Sequence, residues 1–349
     1  MSKTVTVGGR PIGGGHQAFV VVELGVCHEQ NVELAERFIE RAAEAEADAV
    51  KVESFQADEL VVDRTVMHTY GTAAGQVREN YYDLLKRLEL SLEDHARLKR
   101  KADRCGILFF PTVATNRAAD FFDRLDVCAF KLASPDVTNY PLQRHLASLG
   151  RPVFLDTGGS FIHEVEQAVI NLNQAGLDQV IIMHNPSGYP APPEKTDLRM
   201  ITTLRQVFDA PVGLSCHTPG CDVIMAALAL GAEVIEKPVT RDRTIAGPEH
   251  VFSLLEGELG EFMTRVRALE RSLGSGRRTE VEEMSLPRFI GRRGVYAARD
   301  LAAGEVLDSD AVILAKPNRG ISVVHLDLVL GRRLRRPVAK HQPVTWEVV

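Results

Sequence analysis

Two lysines, Lys51 and Lys131, each close a short apolar run of strand length. One lysine at such a place is as easily a solvated loop residue as a working cation. Two that end separate buried strands would converge, either on an anion or, if neutral, on a carbonyl as an imine. Other polar groups fall at the ends of comparable runs: Glu23, Glu53 beside Lys51, Thr112, Ser134 and Asp136 after Lys131, Asp156, His184 with Tyr189 beyond it, Ser215 with Cys216 and His217, and Glu236 with Lys237. Carboxylates here can move protons, hydroxyls can donate to an anion, and a histidine can carry a proton or hold a metal. A cysteine beside His217 could act as a nucleophile, but Cys216 reads more simply as a small buried side chain.

Such groups need a scaffold that brings strand ends together. From about residue 17 the sequence repeats one alternation eight times: a short apolar run, a polar loop, then a stretch of helical periodicity. The expected strands are 18–22, 49–52, 107–110, 128–132, 153–155, 180–183, 212–214 and 233–235. Each is nearly continuously apolar, as parallel strands buried on both faces are. The expected helices include 32–45, 92–104, 117–125, 163–174, 198–208, 222–230 and 250–272. Eight βα units most simply close into a (β/α)8 TIM barrel. No G-x-G-x-x-G follows the first strand, which argues against a dinucleotide fold. Residues 4–15 read as an N-terminal hairpin or plug. We therefore expect a barrel domain over 1–272, a polar Gly/Ser-containing linker over 273–284, and a small β-rich domain over 285–349. The last should carry short strands at 294–297, 312–315, 335–338 and 344–349 and one helix near 324–330.

Composition is compatible with this plan. At 349 residues, 45% hydrophobic and 25% charged, the chain can bury a large core. A net charge of −6 from 41 basic and 47 acidic side chains offers no general attraction to nucleic acid or membrane. The cluster RRLRR at 332–336 reads as a solvated edge or subunit contact. Five cysteines without metal spacing, and the lack of any signal-like or membrane-length apolar segment, lead us to expect a reduced, cytoplasmic protein.

Several ordered motifs carry a family resemblance. Glu23-Leu-Gly-Val-Cys-His28-Glu, Val50-Lys51, Lys131-Leu-Ala-Ser134-Pro-Asp136, Asn139-Tyr-Pro-Leu, Thr157-Gly-Gly, His184 to Tyr189-Pro, Gly213-Leu-Ser-Cys-His217-Thr and Gly247-Pro248 follow the pattern of the N-acetylneuraminate (sialic acid) synthases. Tyr296 to Glu305 and Lys316-Pro to Gly320-Ile resemble that family's antifreeze-like (SAF) domain, so the resemblance spans the chain. It implies condensation of phosphoenolpyruvate with the aldehyde carbon of an open-chain sugar, followed by attack of water and loss of phosphate. By this resemblance Lys51, Lys131, Ser134 and Ser215 hold phosphoenolpyruvate, Glu23 lies beside the reacting carbons, and Tyr189 lies in the sugar-contact loop. His217 is one of two histidines that hold a divalent metal, manganese or magnesium. The resemblance further implies a homodimer in which each SAF domain caps the partner's barrel.

The pattern breaks at chosen places. The second metal histidine is replaced by Pro238, a serine facing phosphate by Asp156, a glutamine by Glu53, an aspartate by Cys216, and the SAF arginine that reaches the acceptor by Lys316. These changes touch metal, phosphate and acceptor. The reading that follows is a phosphoenolpyruvate-dependent synthase acting on an aldehyde other than N-acetylmannosamine. Its alternatives are a metal-independent aldolase or lyase that uses Lys51 or Lys131 on a keto acid, and a non-catalytic homologue.

Overall fold

The computed structural model describes residues 2–276 and 282–349 and divides into two compact units at Gly274/Ser275. In the first, eight parallel strands close on themselves: β1 (Phe19–Gly25), β2 (Ala49–Ser54), β3 (Leu108–Val113), β4 (Phe130–Leu132), β5 (Val153–Asp156), β6 (Val180–His184), β7 (Val212–Ser215) and β8 (Val234–Thr240). Closure is made by β8 against β1, with Val234 opposite Phe19 and Pro238 opposite Glu23. The helices are α1 (Val32–Glu44), α2 (Leu92–Cys105), α3 (Asn116–Arg124), α4 (Tyr140–Leu149), α5 (Ile162–Gln174), α6 (Arg199–Val207), α7 (Asp222–Ala229) and α8 (Leu259–Leu273). Their starts are chemically marked. Asn31 caps α1, Ser91 and Asp94 form a capping box on α2, and Asn139 caps α4 ahead of a proline in its first turn.

The alternation of side chains along each strand sorts the core into two layers. Val20, Val22, Leu24, Val50, Val52, Leu132, Leu155, Ile182, Leu214 and Ile235 face outward and pack against the helices. Phe19, Val21, Ala49, Phe110, Ala129, Phe154, Ile181, Met183 and Val234 face inward and fill the lower lumen. The expected N-terminal plug is an antiparallel hairpin, Val5–Val7 with Arg10–Ile12, whose Val5, Val7 and Ile12 join that inner cluster. Phe110 and Phe154 stack there with ring centroids 4.7 Å apart. Below them Asp48 ties elements together, accepting hydrogen bonds from the Val20 amide at 2.8 Å and from Arg267 of α8 at 3.0 Å, and pairing with Arg10 of the hairpin.

Several expected boundaries move. Most strands run further toward their C-terminal ends than the apolar runs suggested, so Glu23, Glu53, Thr112, Asp156, His184, Ser215 and Glu236 lie within strands. Inside a closed barrel all of these side chains but Thr112 find polar partners while the backbone ladder continues. The expected long helix over 250–272 is instead a turn (His250–Phe252), a short strand (Leu254–Leu255) paired with Val239–Thr240 of β8, a second turn, and α8. Strand pairing of the apolar Leu254–Leu255 displaces the helical pattern. Helix α4 was not among the expected segments, and neither was the hairpin of Met67–Thr72 and Gly75–Asn80 with its following helix Tyr81–Leu88.

The second unit has an apolar core that includes Val295, Leu301, Leu307, Ile321, Leu334, Val338 and Val344. Gly294–Ala297 and Val312–Ala315 pair antiparallel. The expected strand at 335–338 supplies only an isolated bridge, Leu301 with Val338, and that at 344–349 none, the bridge of Tyr296 with Pro343 falling just before it, because the chain turns too often there to extend a ladder. The expected helix near 324–330 is a turn, Val323–His325, running into Leu326–Val329. Of the expected linker, residues 277–281 lie outside the described residues, and a helix, Glu282–Gly291, occupies its end. In the basic cluster, Arg332 donates to the Leu328 carbonyl at 2.7 Å and lies over Trp346, while Arg333 donates to the Gly304 carbonyl at 3.0 Å. The five cysteines are unpaired. Among the described residues no helix is long and apolar enough to cross a membrane.

Gly213 on β7 sits where the lumen leaves no room for a Cβ. A Cβ there would come within 2.6 Å of Val234 Cβ and 2.8 Å of the Val234 carbonyl. Gly213→Ala should therefore lower stability by about 1–3 kcal/mol in urea unfolding. Gly260→Ala, in open space on α8, should instead hold or gain up to about 1 kcal/mol.

Candidate active site

The inward row of each strand changes character toward its C-terminal end. Above the apolar layer stand Glu23 of β1, Lys51 and Glu53 of β2, Thr112 of β3, Lys131 of β4, Asp156 of β5, Ser215 of β7 and Glu236 of β8. Register places them side by side: Glu23 is opposite Lys51, Glu53 opposite Thr112, Thr112 opposite Lys131, and Ser215 opposite Glu236. Most of this ring is sealed from solvent, with Lys51, Lys131, Ser215 and Glu236 each 1% exposed. Ionised groups persist in such a place only when paired.

Glu236 is the hub. Its Oε1 accepts from Lys131, from Ser215 Oγ at 2.8 Å and from Lys51 at 3.3 Å. Lys51 also bonds Glu23 and lies 3.5 Å from Glu53, and Lys131 pairs with Asp156 at 2.9 Å. Asn185, just beyond β6, donates to the same Asp156 oxygen at 3.0 Å. Burial raises the Glu236 carboxyl, but Lys131 and Lys51 more than reverse this and hold its pKa down to about 2. Burial pulls both lysines down, and the carboxylates around them, Glu23 foremost for Lys51 and Asp156 for Lys131, bring them to values above an ordinary lysine. Glu23 takes the opposite course. Burial pushes it up to about 7 despite Lys51, with Glu236 and Glu53 adding to the rise. Asp156 is raised as well, chiefly by burial.

Other groups complete the mouth. His217 is 5% exposed, and burial lowers its pKa to about 3, so its imidazole is neutral. Its ring lies 4.6 Å from that of Tyr189 and 5.3 Å from that of Phe252. The Gly158 amide donates to Ser134 Oγ at 3.0 Å, and a Cβ on Gly158 would strike that oxygen, so the glycine lets the loop after β5 close on Ser134. Not every expected residue joins the ring. Asp136 turns into its own 3-10 turn and accepts from Asn139 at 2.8 Å. His184 is engaged with the Thr196 carbonyl at 2.7 Å. Lys316 belongs to the second unit, directly after Val312–Ala315.

Residues 38–278 match the NeuB family and residues 292–349 match the SAF domain. The chain belongs to the NeuB family. It is 33% identical to the N,N'-diacetyllegionaminic acid synthase of Legionella pneumophila, over 97% of this chain and 96% of that protein. It is 32% identical to the human N-acetylneuraminate-9-phosphate synthase, over 98% and 95%. Among solved structures it resembles the sialic acid synthetase of Leptospira borgpetersenii, with a TM-score of 0.74, 29% identity and coverage of 82% of this chain and 95% of that one. It also resembles the spore coat polysaccharide biosynthesis protein SpsE of Bacillus subtilis, with a TM-score of 0.67, 28% identity and 99% coverage of both.

Within this NeuB-family barrel the donor set for a divalent metal does not assemble. Among the described residues no three His, Cys, Asp or Glu side chains converge as ligands. The Nδ1 of His217 is buried without a partner, Pro238 offers no donor beside it, and Glu23 and Glu236 are already committed to the lysines. Cys216 is buried, its Sγ 3.7 Å from the Lys237 amine, which itself donates to the Thr218 carbonyl. No catalytic step is assigned to a metal here.

Three participants escaped the sequence reading. Glu249 is fully enclosed, its Oε2 accepting from the Val26 amide at 2.9 Å, and burial together with Glu23 and Glu53 raises its pKa well above an ordinary carboxyl. Asn185 could have been found from its place one residue past β6. His95 of α2 is wholly buried with Nε2 3.2 Å from the Glu53 carbonyl, so α2 helps fix the strand that carries Lys51 and Glu53.

Two measurements probe the network. Lys131→Met, which strands Glu236 and Asp156, should cost about 3–5 kcal/mol of barrel stability, and adding Asp156→Asn should recover part of it in a double-mutant cycle. Glu23 binds its proton more tightly folded, at about 7, than its ordinary 4.5. Its stabilising contribution is complete below about 4.5 and is lost as pH rises through about 7. Wild type should therefore lose stability relative to Glu23→Gln across that window, as followed by urea unfolding at stepped pH.

Proposed function

We propose that this NeuB-family chain condenses phosphoenolpyruvate with an aldehyde acceptor to give a 2-keto acid and inorganic phosphate. The observation that carries the reading is the pair of buried ammonium groups, Lys51 and Lys131, presented with Ser134, Ser215 and Asn185 at the C-terminal ends of the strands. Buried, charged and hydroxyl-lined, this end of the lumen suits a small molecule with a carboxylate and a phosphate. The kinship to named sialic and legionaminic acid synthases supports the same chemistry.

In this reading C3 of phosphoenolpyruvate forms the new bond to the aldehyde carbon, whose oxygen takes a proton. Water adds to C2, its proton passes to a carboxylate, and the C2–O bond to phosphate breaks. Glu23, which holds its proton up to about 7, is suited to the proton transfers. Lys51 and Lys131 neutralise the donor's charge, and the closed lumen limits water to what the reaction consumes. The alternative in which Lys51 or Lys131 forms an imine asks for a neutral amine, whereas both are held protonated by their carboxylates. The intact network also favours a working barrel over a decayed, non-catalytic one. Lys316 as an acceptor contact, and a homodimer with the second unit over a partner's barrel, belong to the same proposal, and light scattering on the full chain checks the dimer.

Phosphate release from phosphoenolpyruvate with a panel of aldoses, read alongside calorimetric binding of phosphoenolpyruvate, tests the reaction. Absence of both would overturn it. Asp156 places a second carboxylate on Lys131, and its Oδ1 is buried without a partner. Asp156→Ser should therefore bind phosphoenolpyruvate about ten-fold more tightly, and Lys131→Met should abolish binding.

A further inference from the structure

At the end of the polar ring away from Lys131 the carboxylates draw on one ammonium, Lys51. Glu23, Glu53 and Glu249 come together there, and among the described residues their salt bridges involve Lys51 alone. That single ammonium is also shared with Glu236. Glu53 is the member that faces the opening: its side chain is 31% exposed, and its one contact with Lys51 is long, at 3.5 Å. Tyr189, itself 38% exposed, flanks the group, and its hydroxyl feels all three carboxylates.

Buried donors and acceptors around this spot are left without partners. Thr112, the register neighbour of Glu53, is 8% exposed and its hydroxyl bonds nothing. The Nδ1 of His217, whose ring lies against Tyr189, is likewise unpartnered. Orphaned buried polar atoms beside surplus carboxylates mark a place a ligand completes. Carboxylates next to an aromatic face, with free acceptors, recognise a cation.

We infer that the acceptor aldehyde carries a protonated amine, held by Glu53 with Glu23 and Glu249 around it and the Tyr189 ring at its side. The inference rests on the condensation reading for its use of an aldehyde. It differs from that reading in what it asserts: an N-acylated or wholly neutral acceptor would leave the carboxylates unmatched. An ammonium at Glu53 meets the member of the group whose one contact with Lys51 is long, and leaves Glu23 its proton for the reaction.

The test compares mannosamine hydrochloride with N-acetylmannosamine, on the full chain and on Glu53→Gln and Glu53→Asp. Calorimetric affinity is measured with and without phosphoenolpyruvate, and phosphate release is followed in parallel. We expect the amine to bind wild type at least about ten-fold more tightly than its acetylated form, the preference to vanish in Glu53→Gln, and Glu53→Asp to restore part of it. Thermal denaturation identifies a variant that has simply unfolded. Equal or weaker binding of the amine, binding of neither sugar, or an unchanged preference in folded Glu53→Gln overturns the inference. Amine preference without phosphate release instead sinks the condensation reading and leaves the inferred cation site standing.

Discussion

One carboxylate oxygen holds the upper lumen together. Glu236 Oε1 is approached by Lys131, Lys51 and Ser215, which arrive from three other strands, and no two of the four residues are neighbours in sequence. Such a junction forms only if the barrel closes in one register, because a slip of one residue would turn every inward group outward. The apolar layer beneath it makes that register the stable one: Phe19, Phe110, Phe154 and Met183 fill the lumen and are capped from below by the N-terminal hairpin. The hydrophobic layer therefore supplies the stability, and the ion network spends some of it to hold two cations where water cannot reach them. Replacing such a network by apolar side chains is often neutral or stabilising, so its presence points to use rather than to folding.

Much of this was legible in the sequence because parallel strands buried on both faces leave a plain signal. Lys51 and Lys131 stood out as charges at the ends of apolar runs, and both lie in the ring. What the apolar runs concealed was how far each strand continues: hydrophobicity stops at Val22 or Leu155, whereas the ladder carries Glu23 and Asp156. The signal failed altogether where tertiary partners decide. Glu249 precedes a turn that was read as helix, and only the pairing of Leu254–Leu255 with β8 turns that carboxyl inward. His95 lies on a helix with a polar face, and its burial depends on the barrel strand beneath it.

The substitutions that set this barrel apart from the family pattern are mutually consistent. Pro238 offers no donor beside Glu23, and Glu23 pairs with Lys51 and keeps a proton to about 7. Asp156 takes up half of Lys131, which otherwise would leave Glu236 facing two ammonium groups. Each change on its own would strand a buried charge. Together they give a ring in which, with Glu23 protonated, Glu236 and Asp156 pair with Lys51 and Lys131 and Glu53 is left with one long contact to Lys51.

That balance also explains how one narrow lumen could serve two substrates. Lys131, Ser134 and Asn185 offer donors on one side, and on the other Glu53 and Glu249 raise the Tyr189 hydroxyl's pKa after burial. In a low-dielectric cavity such a gradient orients whatever enters, since a misplaced charge meets a like charge at short range instead of bulk water. The strands fix it: Lys131 of β4 stands on one side, shared with Asp156 of β5, while Glu23 of β1, Glu53 of β2 and Glu249 after β8 stand on the other around Lys51.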